Sequence, residues 1–138
     1  MTSVTHRLVA AEVLDGTTDA ELNRAVRYND NTAAALSEDL RAYAGGDALE
    51  PADRDVLNGW WKGNTTSDQL IRVGVPDGWI VGDKTGAGGY GTRNDIAVIW
   101  PPDRAPIVLA ALSTRDQKDA DYDDALIAQA AEVAVTAL

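Results

Sequence analysis

The sequence predicts an α+β fold, an antiparallel sheet of about three strands packed with helices, and three observations predict it. Three β-type runs stand close together in the second half of the chain, their connections are too short to hold crossover helices, and segments of helical periodicity lie before and after them. With 138 residues and no long linker, the chain reads as one domain over 1–138, large enough to bury about two-thirds of the surface its unfolded form exposes.

The elements follow in order. Val4, Leu8, Val9 and Val13 recur at helical spacing from Ser3 to about Leu14, and Asp15-Gly16 ends the run, which predicts a first helix. Thr18-Asp19-Ala20-Glu21 is a capping-box pattern before Leu22 and Val26 and predicts a short helical turn. A helix from about Thr32 carries Leu36, Leu40 and Tyr43 on one face and stops at Gly45-Gly46. Pro51 opens another, whose apolar stripe of Val56, Leu57, Trp60 and Trp61 is expected to pack in the core before Gly63-Asn64. Thr65 to Asp68 can cap a short helix through Arg72 that Gly74 and Pro76 close.

Trp79 to Thr85, Asp95 to Trp100 and Ile107 to Ser113 are the three strands, rich in β-branched and aromatic residues. The proline-containing run from Pro101 to Pro106 is a turn, since proline cannot donate to a central ladder. From about Asp121, Tyr122, Leu126, Ala130, Val133 and Ala137 line one face of a closing helix, with Asp121, Asp123 and Asp124 at its positive end.

A net charge of −10 gives no electrostatic footprint for nucleic acid or for an anionic membrane surface. No apolar run approaches the roughly 18 residues of a membrane span, and Met1 is not followed by a basic segment and an apolar stretch, so nothing in the sequence as written exports the chain. The absence of cysteine excludes disulfides, thiolate metal sites and a cysteine nucleophile, and fits either redox compartment. Asp116, Asp119, Asp121, Asp123 and Asp124 lack a ligand-loop pattern and read as a solvated loop and helix start; no metal and no cofactor is expected.

Chemistry concentrates in the run from Asp83 to Asp95. It sets a cation, a hydroxyl and several glycines at one strand end: Lys84 beside Thr85 can hold a substrate carboxylate, and the glycines let a ligand lie close to the backbone. Gly86 to Gly91 also satisfies G-x-G-x-x-G, but a dinucleotide loop needs a helix to follow, and Thr92 to Trp100 is a strand pattern.

Lys-Thr-Gly at a strand end is one element of the serine β-lactamase and penicillin-binding set. Here the longer string from Gly78 to Pro102 closely resembles class A β-lactamases of the actinobacterial type, and the likeness extends through Leu40 to Tyr43, Gly46 to Leu49 and Asn64 to Thr66 to the final helix. Roughly the last 100 residues are similar to the C-terminal part of that family. The resemblance implies a truncated β-lactamase/transpeptidase-like fold and a serine hydrolase that opens the β-lactam amide through an acyl-enzyme. It also implies that Lys84, Thr85 and Gly86 face the substrate and that the backbone N–H of Ala87 completes an oxyanion hole with that of Ser3.

The first 35 residues depart from the family pattern. Met1 to Leu14 resembles the nucleophile helix, with Ser3 at the nucleophile position and His6 where a lysine is expected; the other reading of His6 is a partly exposed histidine near a terminus. Asn29-Asp30-Asn31 resembles the S-D-N segment with its serine replaced, so Asp30 and Asn31 match; the alternative is a turn and helix cap. Only 26 positions separate Ser3 from Asn29, and deletions are expected near Tyr28 and Leu36.

The loop carrying the water-activating glutamate is not evident between Asn31 and Leu40. Glu21 to Tyr28 continues from the nucleophile helix in one register, which matches the longer stretch; in the other, Asp19-Ala20-Glu21-Leu22-Asn23 stands against that loop's E-x-E-L-N with Asp19 replacing the base. Impaired activity on a β-lactam is the expectation, with an inactive scaffold as the alternative. Two of the family's usual five strands have no counterpart, so an exposed sheet edge and pairing of two copies through it are also expected. The family is exported; the compartment of this chain stays open.

Overall fold

A computed structural model describes residues 6–13 and 33–138 of the chain. In chain order the elements are β1 (His6–Val13), α1 (Ala33–Ala44), α2 (Pro51–Lys62), α3 (Ile71–Gly74), β2 (Ile80–Gly88), β3 (Thr92–Trp100), β4 (Ile107–Thr114) and α4 (Asp124–Ala137). The strands form one antiparallel sheet in the order β1-β4-β3-β2.

The three expected strands are present, and two of them run further than their apolar cores. β2 and β3 stay paired to Gly88 and Thr92, so the hairpin is closed by Gly89, Tyr90 and Gly91 alone. Tyr90 and Gly91 both adopt left-handed backbone angles (φ 61° and 57°), a conformation that glycine supplies at no steric cost and tyrosine does not.

The expected first helix is corrected to a strand: His6–Val13 pairs in register with Thr114 to Ile107 of β4. Its small and β-branched residues suit a period of two as well as one of 3.6. A helix of some 12 residues is marginal by itself, whereas the free edge of β4 offers a full row of main-chain partners. The sheet therefore has a fourth strand, and the short turn expected at Thr18 lies outside the described residues.

Each face of the sheet is covered by helices, which is why β3 and β4 read as unbroken apolar runs. On one face Ala97, Ile99, Ile107, Leu109 and Ala111 meet Leu70 and Ile71 of the α3 region and Ile127, Ala131 and Val135 of α4. On the other, Val98 and Val108 meet Leu40 and Ala44 of α1, with Trp61 and Trp100 packed alongside. Burying each isoleucine or leucine there contributes about 1.5–3 kcal/mol.

Two expected helix faces are rotated. α4 buries Leu126, Ile127, Ala131 and Val135, while Val133 is 70% exposed. The helix is apolar nearly all round, so its periodicity left the phase open. In α2 no residue is fully buried: Val56 and Trp60 (72% exposed) face outward, and Trp61 alone of the tryptophan pair packs against the core. The N-cap of α4 is Asp123, whose Oδ1 accepts from the Leu126 N–H at 3.0 Å. No described helix is long and apolar enough to cross a membrane.

Candidate active site

Strand β2 is the outer strand of the sheet, so the main-chain edge beside Lys84, Thr85, Gly86 and Ala87 is unpaired within the sheet. Side chains alternate along it. Asp83 and Thr85 take the face covered by α3 and α4, and Gly82, Lys84 and Gly86 take the face of α1 and α2, as the approach of Gly82 to Trp61 and Trp100 records. Lys84 is exposed, and its Nζ curls along the strand to donate to the Thr85 carbonyl at 2.6 Å.

Thr85 is tied to the loop before α3. Its Oγ1 lies 2.7 Å from Thr66 Oγ1, which in turn donates to Asn64 Oδ1 at 2.9 Å, and the Thr66 N–H donates to the same oxygen at 3.2 Å. A hydroxyl has one proton to give. Thr66 gives its proton to Asn64, so Thr85 is the donor to Thr66. An incoming carboxylate would take over that proton by rotation of the Thr85 hydroxyl.

Behind Thr85 lies a buried charged cluster. Asp83 Oδ1 accepts from Arg72 at 2.8 Å (Nη2) and 3.2 Å (Nε) and from Asn64 Nδ2 at 3.3 Å. Arg72 also donates to the carbonyls of Trp61 and Lys62 at the end of α2. Asp95, opposite Thr85 in the β2–β3 register, is fully buried, and its Oδ2 accepts from the Ile71 N–H at 3.1 Å. Burial, and next the charge of Asp83, push the Asp95 carboxyl up to about 8.

Arg93 is the residue to which sequence reasoning assigned no role. It stands directly across from Ala87 and, on the same sheet face, diagonally from Thr85, a separation of about 7–8 Å between such positions. Its Nε donates to Asp124 Oδ1 at 2.7 Å, and its guanidinium sits 5.5 Å from the centroid of the Tyr122 ring. The signal available was its place one strand from Lys84-Thr85, legible only once the hairpin is known to be tight.

Lys84, Thr85, Gly86 and Ala87 are thus brought together on one edge, with Arg93 beside them. Ser3, Asp30 and Asn31 lie outside the described residues. The backbone of His6 pairs with Thr114 at the other end of the sheet, three strand spacings or about 14 Å across from β2, so the structure does not bring it to this edge. Among the described residues no group of three or more His, Asp and Glu is placed to hold a metal ion. The edge offers the exposed Lys84 on one face and the Thr85 hydroxyl on the other, with Arg93 of β3 diagonal to Thr85, a donor set of the kind that can hold a carboxylate.

The profile of the beta-lactamase enzyme family matches residues 2–138. The β-lactamase of Bacillus licheniformis is 58% identical over 118 residues, covering 86% of this chain and 38% of that protein, and the one from Bacillus amyloliquefaciens is 56% identical over 120 residues, covering 85% and 39%. Among solved structures, the β-lactamase from Streptomyces albus G has a TM-score of 0.77 at 46% identity, covering 87% of this chain and 46% of that one. The matches reach beyond the last 100 residues into part of the first 35, and the chain spans about two-fifths of the length of the curated relatives it matches. With the family profile running through nearly every residue and the fold matching alongside, this chain belongs to the beta-lactamase enzyme family, class A type.

Proposed function

We propose that this chain binds a β-lactam along the open edge of β2 and acts as a β-lactamase-like serine hydrolase with impaired turnover. The observation that carries the proposal is Lys84 and Thr85 side by side on an unpaired edge strand, with Arg93 diagonal to Thr85. In this reading Lys84 and Thr85 hold the substrate carboxylate and Gly86 leaves room for the ring. The N–H of Ala87 polarises the lactam carbonyl together with that of Ser3, which attacks as the nucleophile. Asp30 and Asn31 serve the substrate side.

His6 at the base position has no support from the strand in which its backbone lies. The carboxylate-loop register is the alternative to a base at His6. Asp19 would then stand where the water-activating glutamate is expected, with a side chain one methylene shorter. Slow release of the acyl-enzyme follows from that shorter reach.

The second reading is a scaffold that binds without turnover, supported by the place of the His6 backbone in β1, three strand spacings from β2. Incubation with a chromogenic cephalosporin, with ring opening followed and intact mass taken alongside, separates the two. Turnover supports the hydrolase, and an adduct that disappears in Ser3→Ala supports acylation with slow release. Neither signal leaves the scaffold. Pairing of two copies through the free edge of β1 is a further proposal of this reading, supported by the eight-residue outer strand; sedimentation that gives a monomer at high concentration would sink it.

A further inference from the structure

Three groups meet behind the substrate edge with one proton missing from their hydrogen-bond scheme. Asp83 Oδ1 is taken by Arg72 and Asn64, and Asp95 Oδ2 is taken by the Ile71 N–H. The other two oxygens, Asp83 Oδ2 and Asp95 Oδ1, are buried with no partner among the described residues, and the two side chains are diagonal neighbours on one face of the β2–β3 pair. Two ionised carboxylates cannot donate to each other, and two buried acceptors facing one another are costly.

We propose that Asp95 is a neutral carboxylic acid whose O–H donates to Asp83 Oδ2, and that this proton is the clamp that holds β2 and its Lys84-Thr85 edge to the α3 region. The charge count supports it. With Asp95 protonated, Arg72 and Asp83 form a neutral pair; with Asp95 ionised, one guanidinium faces two buried carboxylates.

Among the described residues, the groups around Asp95 leave no other source of compensation. From β2 it is faced by Asp83, from α3 by Arg72, and from β4 by Ala111 and the uncharged Ser113. α4 presents Leu126, Ile127 and Ala131, and the nearest cation along β3, Arg93, is already engaged by Asp124. Burial and the neighbouring Asp83 charge both favour keeping the proton, against the weaker pull of the Ile71 N–H and Arg72.

The clamp makes the edge pH-sensitive. Loss of the proton would set Asp95 against Asp83, release the Ile71 N–H or the Arg72 pair, and let β2 shift relative to the loop that carries Thr66. Asp95→Asn distinguishes a proton from a mere shape, because the amide keeps one acceptor for Ile71 and one permanent donor for Asp83.

The test combines carboxyl-carbon NMR of the intact chain with denaturant unfolding from pH 5 to 9.5. We expect one aspartate carboxyl to be protonated at pH 7 and to titrate near pH 8, and this signal to be missing in Asp95→Asn. We also expect the folded-to-unfolded ratio of the wild type, relative to Asp95→Asn, to fall by up to about tenfold per pH unit up to that titration and then to level. An Asp95 that titrates in the ordinary carboxylate range, or unfolding profiles that run parallel in the two proteins, would overturn the proposal. Should Asp95→Asn fail to fold, the titration of Asp95 in the wild type decides alone.

Discussion

The hydroxyls of Thr85 and Thr66 lie 2.7 Å apart, and the proton between them belongs to Thr85, because Thr66 spends its own on Asn64. At rest the β2 edge therefore presents a threonine whose donor is occupied. Thr66→Val removes that acceptor while keeping the side-chain shape, and it frees the Thr85 hydroxyl for a bound carboxylate. We expect a gain of about 1 kcal/mol, roughly fivefold in affinity, for a penicillin measured by calorimetry. Unchanged or weaker binding would mean that Thr66 serves the site in another way.

Arg72 links α3, the end of α2 and β2 through Asp83 and two main-chain carbonyls. Arg72→Leu leaves the fully buried Asp83 without its cation. Removing one partner of a buried pair costs about 3–5 kcal/mol, and urea unfolding at pH 7 should register a loss of that order. A loss under about 1 kcal/mol would place the pair among those that contribute little.

Asp95 carries a sign that is opposite to the usual surface carboxylate. Its folded-state value, raised to about 8, exceeds the ordinary value, so between about pH 4 and 8 the native state holds a proton that the unfolded chain does not. Its contribution to stability is full below that window and is lost as pH rises through it, by up to about 1.4 kcal/mol per unit. Asp83→Asn removes one of the causes of the shift and frees Arg72 to draw on Asp95. We expect the Asp95 titration in that variant to move below the wild-type value, as read by carboxyl-carbon NMR. No movement would show that Asp83 has no part in the shift.

Gly74, the last residue of α3, packs directly on α4: a Cβ there would lie 2.1 Å from the Ala128 carbonyl oxygen and 2.8 Å from the Ala131 Cβ. Backbone atoms cannot give way as a flexible side chain would. Gly74→Ala should therefore destabilise by about 3 kcal/mol, toward the upper end for overpacking, with a clear drop in melting temperature. A neutral result would show that α4 moves freely over α3.

What was legible in the sequence depended on how many alternatives each pattern allowed. β4 and the helices Ala33–Ala44 and Pro51–Lys62 matched their expected bounds closely, because glycine, proline and β-branched runs admit few other readings. Periodicity leaves the phase of α4 open because the helix is apolar on most faces, and it points to a helix for His6–Val13 because the strand's partner, the edge of β4, is a tertiary fact. Lys84, Thr85 and Gly86 stood out through local motif chemistry. Arg72, Asp83 and Asp95 did not, since their meaning arises only when β2, β3 and the α3 region converge.

The most direct measurement is a titration of the isotopically labelled chain with benzylpenicillin, followed through its backbone amides and repeated with Lys84→Ala. Lys84 is exposed, and among the described residues its side chain reaches only the Thr85 carbonyl, so truncating it should leave the fold intact. We expect shifts centred on Lys84 to Ala87 and Arg93 in the wild type, and affinity at least tenfold weaker in Lys84→Ala. Shifts confined to other parts of the sheet, or equal binding by the two proteins, would contradict the assignment of the β2 edge as the β-lactam site.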